Sequence, residues 1–488
     1  MVQRLTPNPA PPLGFQPFSK VDTMTREATI ALAVDYFETQ QFHADLARRV
    51  AIPTESQNAE RAPELIDYLT NELSPTLTAM GFTCQVHPSP VGKTPFFMAT
   101  RIEDPALTTV LSYGHGDVVR GLDAQWREGL APWKLTIEGE RIYGRGTADN
   151  KGQHTINLGA LQSVLKTRGK LGFNLKLLYE TGEEIGSPGL NQFCAEHKAE
   201  LKADVFIASD GPRLSPARAT LFLGSRGVMN FDLTVQLRDG AHHSGNWGGL
   251  IRDPGIILAH ALASITDARG TIRVPEWRPA GIPASVRAAL ADCAPDGGDD
   301  APEIDLDWGE PDLTPAERVF GWSSFSVLAQ KVGNPDFPVN AIADRAWARC
   351  QLRYVVGTEP QEIVPALQRH LTREGFTEVT VTPARDEPMR ATRLDPDSPW
   401  VRFAVESIVK TTGKKPAILP NLGGSLPNEV FAETLGLPTV WIPHSYSACS
   451  QHAPNEHMLS GIAREGLQIM AGVFWDLGEA GLRELKNS

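Results

Sequence analysis

His115 and Asp117 stand one residue apart at the end of LTTVLSYGHGDVV (107–119), the first stretch of this chain where residue type and spacing point to chemistry. In extended chain such a pair faces one side, so the carboxylate can back the imidazole, fix its tautomer and raise its basicity as a metal ligand. Four more acidic or histidine clusters follow: GRGTADNKG at 144–152, YETGEEIGSPG at 179–189, ASDGP at 208–212 and QHAPNEH at 451–457. Together they supply His115, Asp149, Glu183, Glu184, Asp210 and His452. Imidazoles and carboxylates without thiolates suit Zn, Mn or Co rather than an iron–sulfur or structural zinc site. Two histidines and three carboxylates can hold two divalent ions if one carboxylate bridges; two such ions can share a hydroxide and polarise a carbonyl oxygen. Adjacent Glu183 and Glu184 diverge on a loop leaving a strand, so one can face metal while the other acts as general base towards a leaving amine. Asp149 lies between a glycine-rich turn and a helix start, where helix capping competes as its role and the Asp149–Asn150 peptide is a candidate for strain.

Each cluster follows a strand-like apolar run, and strands alternate with helical patterns. Helices are expected over 26–50, 63–80, 153–168 and 190–201, and strands over 83–87, 96–102, 107–113, 173–179 and 204–209. That rhythm is the signature of a parallel α/β sheet, which binds its ligands at the C-terminal ends of its strands. Near Thr220 the pattern changes to a long strand-like stretch, FLGSRGVMNFDLTVQLRD, and the α/β rhythm returns only from Pro399. The fold class is therefore α/β: a catalytic domain with a mostly parallel central sheet flanked by helices, interrupted by an inserted α+β domain. The expected boundaries are a proline-rich arm at 1–25, catalytic parts at 26–217 and 387–488, and the insertion at 218–386. Within the insertion, the Asp-, Gly- and Pro-rich loop 293–312 reads as a solvated excursion.

Composition narrows the function classes. A net charge of −12 without a Lys/Arg run argues against nucleic acid, and no apolar stretch reaches the ~18 residues of a membrane span. Five scattered cysteines without a CxxC read as free thiols in a reducing compartment, so the cytoplasm is the expected location. The N-terminal stretch has no apolar signal core and reads as a loose arm, with Met24 an alternative start.

The motifs GHGDVV, GRGTADNKG, ETGEEIGSPG, ASDGP, HHSGNWGG, GGSLP and QHAPNEH, in that order, resemble the dinuclear zinc peptidase family of carnosinase-type dipeptidases, aminoacylase-1, acetylornithine deacetylase and succinyl-diaminopimelate desuccinylase. The resemblance runs from about Phe42 to the C-terminus. It implies two divalent ions, Zn first with Co or Mn as alternatives. His115 and Asp210 would bind one, Glu184 and His452 the other, and Asp149 would bridge. Asp117 would orient His115, and Glu183 would be the general base. The insertion would be a lid that also forms a homodimer, with His243 reaching the partner's active site to polarise the scissile carbonyl. Arg353 and Ser425 match positions that hold the substrate carboxylate, and Asn340 matches a lid residue near them. Asn150 and Leu426 depart from the usual residues without removing a ligand.

Arg226 and Trp247 read as lid-fold residues, and alternation turns His242 away from the His243 side. His43, His87, His154, His197, His260 and His370 lie on helices or strands without partners in the motifs and are expected as surface or satisfied core residues, and His444 and His457 are candidates to support the His452 cluster. The resulting expectation is a hydrolase that cuts an amide bond in a small dipeptide-like substrate, using a metal-bridging hydroxide. An N-acyl-amino-acid deacylase is the alternative, and a binding protein without catalysis a lesser one; neither nucleic acid nor membrane is an expected partner.

Overall fold

The computed structural model describes residues 24–296, 302–384 and 389–479. The arm up to residue 23, residues 297–301 of the acidic loop, and the expected junction at 386/387 lie outside the described residues.

The helix expected over 26–50 is two, α1 (Arg26–Glu38) and α2 (Gln41–Val50). Gln40 separates them with a left-handed backbone (φ 65°), which a right-handed helix cannot contain. Next come β1 (Thr83–His87), β2 (Phe96–Arg101), β3 (Thr109–His115), α3 (Lys151–Arg168), β4 (Asn174–Glu180), β5 (Val205–Ala208) and β6 (Thr220–Phe222). The insertion adds β7 (Gly227–Gln236), α4 (Pro254–Ile265), β8 (Ser324–Val332), β9 (Arg345–Tyr354), α5 (Pro360–Arg373) and β10 (Val379–Pro383). The chain returns through α6 (Pro399–Thr412), β11 (Ala417–Leu419), β12 (Thr439–Trp441) and α7 (Ser460–Leu477).

The large sheet has the order β1-β2-β4-β3-β5-β12-β6-β11. Its centre, β4-β3-β5-β12, is parallel, and β1 and β2 add an antiparallel edge. On one face, α1, α3 and α7 bury Tyr36, Leu161, Leu467 and Phe474; on the other, Phe193, Phe206, Phe431 and Trp441 form a second apolar layer. Burial on both faces explains why the central strands read as continuous apolar runs. The inserted sheet, β8-β9-β7-β10, is antiparallel throughout. Strand β7 alternates buried and half-buried positions, and α4 and α5 cover the buried face with Leu258, Ile265, Leu367 and Leu371.

Two features differ from the expected division. β6 lies beyond position 217 yet hydrogen-bonds with β11 and β12 in the large sheet. Within the insertion, two short helices, Ala284–Leu290 and Pro315–Phe320, place Val286, Leu290, Ala316 and Phe320 in the same apolar cluster as Phe206 and Leu419. The acidic loop between them is largely exposed along its described length, as expected, with Glu310 the exception. Glu310 is buried, accepts the Ile272 N–H at 3.2 Å and pairs with Arg278 at 3.0 Å, because a buried carboxylate needs such partners.

Candidate active site

β3 and β4 run side by side to the same edge, with His115 opposite Glu180 in the register. Asp117 follows β3 and is fully buried. Its two carboxylate oxygens accept the N–H groups of Glu183 (3.2 Å) and Glu184 (3.1 Å), so it holds the loop that leaves β4. It also backs His115: Nδ1 lies 3.1 Å from the Asp117 carbonyl oxygen and 3.4 Å from its carboxylate. His115 Nε2 faces Asp149 Oδ1 at 2.8 Å and Asp210 Oδ2 at 3.7 Å. From the far end of the sequence, His452 brings Nε2 to 3.1 Å from Asp149 Oδ2 and 2.9 Å from Glu184 Oε2.

The six sequence-derived residues thus meet at one place. Their ligand-type atoms form two groups, His115–Asp149–Asp210 and Asp149–Glu184–His452, each spanning no more than 4.8 Å and sharing Asp149. Glu183 stands beside them, lining the adjoining cavity. The Asp149–Asn150 peptide is cis.

Such a gathering of carboxylates calls for a cation. Asp210 Oδ2 is buried with no hydrogen-bond donor among the described residues. Burial, reinforced by neighbouring carboxylates, pushes Glu183 well up, Glu184 to about 7 and Asp210 to about 6. Asp149 goes the other way: burial opposes its charge, but hydrogen bonds from His115 and His452 hold it well below the usual carboxylate range. Hydrogen bonds to Asp149 and Glu184 raise His452 to about 11. Hard oxygen and imidazole donors around an unpartnered buried carboxylate oxygen fit divalent ions of the Zn, Co or Mn kind.

Supporting residues that the sequence did not reveal fix this geometry. Glu456 is buried and accepts the N–H groups of Gly146, Ala148 and Asp149 at 2.9–3.1 Å, while pairing with Arg145 at 2.8 Å. Gln153 donates to the carbonyls of Ala148 and Gly211, tying the Asp149 loop to the Asp210 loop. Asn150 makes a parallel tie to the Ser209 carbonyl at 2.9 Å. His154 is a satisfied core residue: its Nε2 lies 2.5 Å from Tyr68 Oη and its Nδ1 3.3 Å from Asn150. His197 and His370 also have partners, Glu200 and the Ser264 carbonyl. His457 bonds Tyr446 rather than the ligand cluster.

The insertion contributes unevenly. Arg353 reaches the cavity from β9 and donates to Ser425 Oγ at 3.1 Å; Ser425 in turn donates to the Arg226 carbonyl at 2.7 Å. Arg226 does more than hold the inserted sheet, since its guanidinium also grips the Gly423 carbonyl beside Ser425. His243 and Asn340 lie together on an exposed two-stranded ribbon, with the Ser244 N–H donating to the Asn340 carbonyl at 2.9 Å. Neither residue lines the cavities that border the ligand cluster of their own chain.

Comparison with known proteins agrees with this architecture. A model described as peptidase family M20/M25/M40 matches residues 111–476. The chain is 30% identical over 249 residues to the Cys-Gly metallodipeptidase DUG1 of Candida albicans, covering 48% of this chain and 51% of that one. It is 34% identical over 185 residues to the Beta-Ala-His dipeptidase of Mus musculus, covering 37% of each. A Cysteinylglycine-S-conjugate dipeptidase of Corynebacterium striatum matches at 28% over 342 residues, 65% of this chain and 70% of that one. The chain thus spans about half or less of the length of the first two relatives. The solved structure of the dipeptidase Dug1p from Saccharomyces cerevisiae superposes with a TM-score of 0.75 at 20% identity, over 94% of this chain and 99% of that one. Human carnosine dipeptidase 1 gives 0.73 at 23%, over 93% and 99%. At these identities the structural likeness shows the fold alone. No helix among the described residues is long and apolar enough to cross a membrane.

Proposed function

The chain belongs to peptidase family M20/M25/M40, and from that premise we propose that it is a metal-dependent hydrolase of the amide bond in small dipeptide-like substrates. The observation that carries this reading is Asp149, shared between two ligand groups with Glu183 free beside them at the cavity. His115 and Asp210 would hold one divalent ion, Glu184 and His452 a second, with Asp149 between them. Bound there, the ions would supply Lewis acidity to the scissile carbonyl and acidify water. Asp117 holds His115 in place through Nδ1 and keeps the Glu183–Glu184 loop in register. Glu183 takes the proton from the attacking water and delivers it to the leaving amine. Arg353 has no carboxylate partner among the described residues and, with Ser425, receives the substrate carboxylate.

His243 and Asn340 would act on a second copy of this chain. Strand β8 is an exposed sheet edge carrying Val327, Leu328 and Val332, with Ile256 exposed on α4. An exposed apolar edge of that kind is suited to pairing with its counterpart, which would carry His243 towards the partner's ligand cluster.

Metal content together with turnover tests the whole reading. Free dipeptides, set against N-acetyl, N-succinyl and N-carbamoyl amino acids with Zn, Co or Mn, are expected to be the substrates. Failure of every dipeptide with every ion would overturn the proposal.

A further inference from the structure

The catalytic cavity, about 920 Å³, is large for a small-molecule site, and much of its outer wall comes from the insertion: Pro295, Ile304, Val319 and Phe320. A second cavity of about 360 Å³ adjoins it, and Pro295, Ile304 and Val319 border both. Ile304 is 51% exposed and Val319 37%, so this border is an open sill rather than a sealed partition.

Beyond the sill stand Trp308, Trp322 and Phe325. Trp308 is 58% exposed, an unfavourable place for an indole unless something covers it. Even so it is held in position. Its ring lies on Gly270, where an added Cβ would come within 2.8 Å of Trp308 Cε2. Its main-chain N–H donates to the Asp305 carbonyl at 3.1 Å, its carbonyl accepts from Arg318, and the next N–H, of Gly309, donates to the Arg269 carbonyl at 2.6 Å. Around the same cavity, three buried polar atoms have no hydrogen-bond partner among the described residues: Trp322 Nε1, Ser323 Oγ and Arg318 Nε. Ser323 is only 4% exposed, so bulk water does not serve it. The Arg226 guanidinium also borders this space, bonded to Gly423 and Ser324 with no carboxylate partner among the described residues.

Aromatic faces with donors lacking acceptors fit an aromatic ring that carries an oxygen. The guanidiniums of Arg226 and Arg318 are matched along this lining by the carboxyl groups of Asp305 and Glu310, so the apolar and aromatic walls set the preference. We propose that this annex is a side-chain subsite and that the enzyme takes dipeptide-like substrates bearing a tyrosine, whose ring crosses Ile304 and Val319 to lie against Trp308 and Trp322. The proposal rests on the amide-hydrolase reading and assigns a specificity to it.

The test measures kcat/KM for Tyr-Gly and Gly-Tyr against Ala-Gly and Gly-Ala, with Lys-Gly and Gly-Lys as controls. At least one tyrosine dipeptide should exceed its alanine counterpart by about 10–100-fold, the discrimination expected from burying one aromatic side chain. Trp308→Ala should reduce that ratio about tenfold, and Ile304→Arg, which places a charged chain on the sill, should reduce it as well. Equal turnover of tyrosine and alanine dipeptides, a lysine preference, or a ratio unmoved in both variants overturns the subsite while leaving the hydrolase reading intact. If no dipeptide is cleaved, the hydrolase reading fails and the subsite is still decided by calorimetry. Tyrosine amide should then bind the wild-type protein more tightly than alanine amide does, and Trp308→Ala should erase the difference. Equal binding of the two amides overturns the proposal.

Discussion

Glu456 Oε1 accepts the main-chain N–H of Asp149 at 3.1 Å, so a carboxylate four residues past His452 fixes the residue that both ligand groups share. Glu456 and Arg145 are both about 1% exposed, and each neutralises the other. Glu456→Gln should leave a buried guanidinium unpaired and lower unfolding stability by about 3–5 kcal/mol in urea titration. Because the Asp149 loop loses its anchor, metal affinity should also fall about 10–100-fold. Unchanged affinity in a folded variant would show that the loop holds its shape without Glu456.

The division of labour between Glu183 and Glu184 is open to a paired experiment. Glu183→Gln should retain the metals and lower kcat about 10²–10⁴-fold, the usual loss for a general base. Glu184→Gln should instead release metal, because its Oε2 lies 2.9 Å from His452 Nε2 within one ligand group. Metal analysis and kinetics on both variants decide it, and reversed phenotypes exchange the two roles.

His243 tests the two-chain arrangement. His243→Ala should lose about 10²–10³ in kcat with its metals in place, as expected for one lost donor to a developing oxyanion. Mixed with Glu183→Gln and allowed to exchange subunits, it should regain about a quarter of wild-type activity, since half of the randomly formed dimers carry one complete site. If exchange is verified and activity stays absent, His243 does not act across the dimer.

Removing bound metal should destabilise the fold by mass action. Addition of a divalent ion at about 100 times its dissociation constant should restore about 2.7 kcal/mol per site, read from the shift in a denaturant midpoint. Asp149→Asn should abolish most of that response, because Asp149 belongs to both ligand groups. A full response in the variant would locate the ions elsewhere.

Glu429 makes a pH prediction away from the ligand cluster. Burial, with help from Glu433 and against Arg390, raises its carboxyl to about 7, and its Oε2 has no hydrogen-bond partner among the described residues. The folded protein therefore holds a proton that the unfolded chain releases above about 4.5, so this group lowers stability as pH rises from about 4.5 to about 7. Below that window it contributes nothing. Glu429→Gln should match wild type at pH 4 and exceed it by about 1–3 kcal/mol at pH 8. An equal advantage at both pH values would trace the effect to packing rather than to the proton.

What the sequence revealed, and what it did not, follows from how far each signal reaches. His115 ends an apolar strand, and Glu183, Glu184 and Asp210 follow others within four residues, so local pattern locates them at one sheet edge. Glu456 was invisible, because its partners are main-chain N–H groups more than 300 positions away, which carry no residue identity. The run FLGSRGVMNF reads as one strand, but Gly224 approaches the Thr392 carbonyl so closely that no side chain fits, and the chain there passes from the large sheet to the inserted one. In the acidic loop, composition suggests solvation and most described positions are exposed, but Glu310 is buried, and it and Trp308 take their positions from Ile272, Arg278, Gly270 and Arg318. Propensity cannot report such tertiary partners.

The placement of β12 between β5 and β6 has a consequence for the nascent chain. β5 ends at Ala208, and β12, which fills the position beside it, begins at Thr439. At ribosomal speeds of about 5–20 residues per second, the intervening stretch takes about 10–50 s to synthesise. Throughout that interval Phe206, Ile207 and Ala208 lack the strand that pairs them on this side, an open edge that is a template for pairing with another chain. The yield of folded protein in a foreign host should therefore follow chaperone supply and growth temperature more steeply than its final stability would suggest.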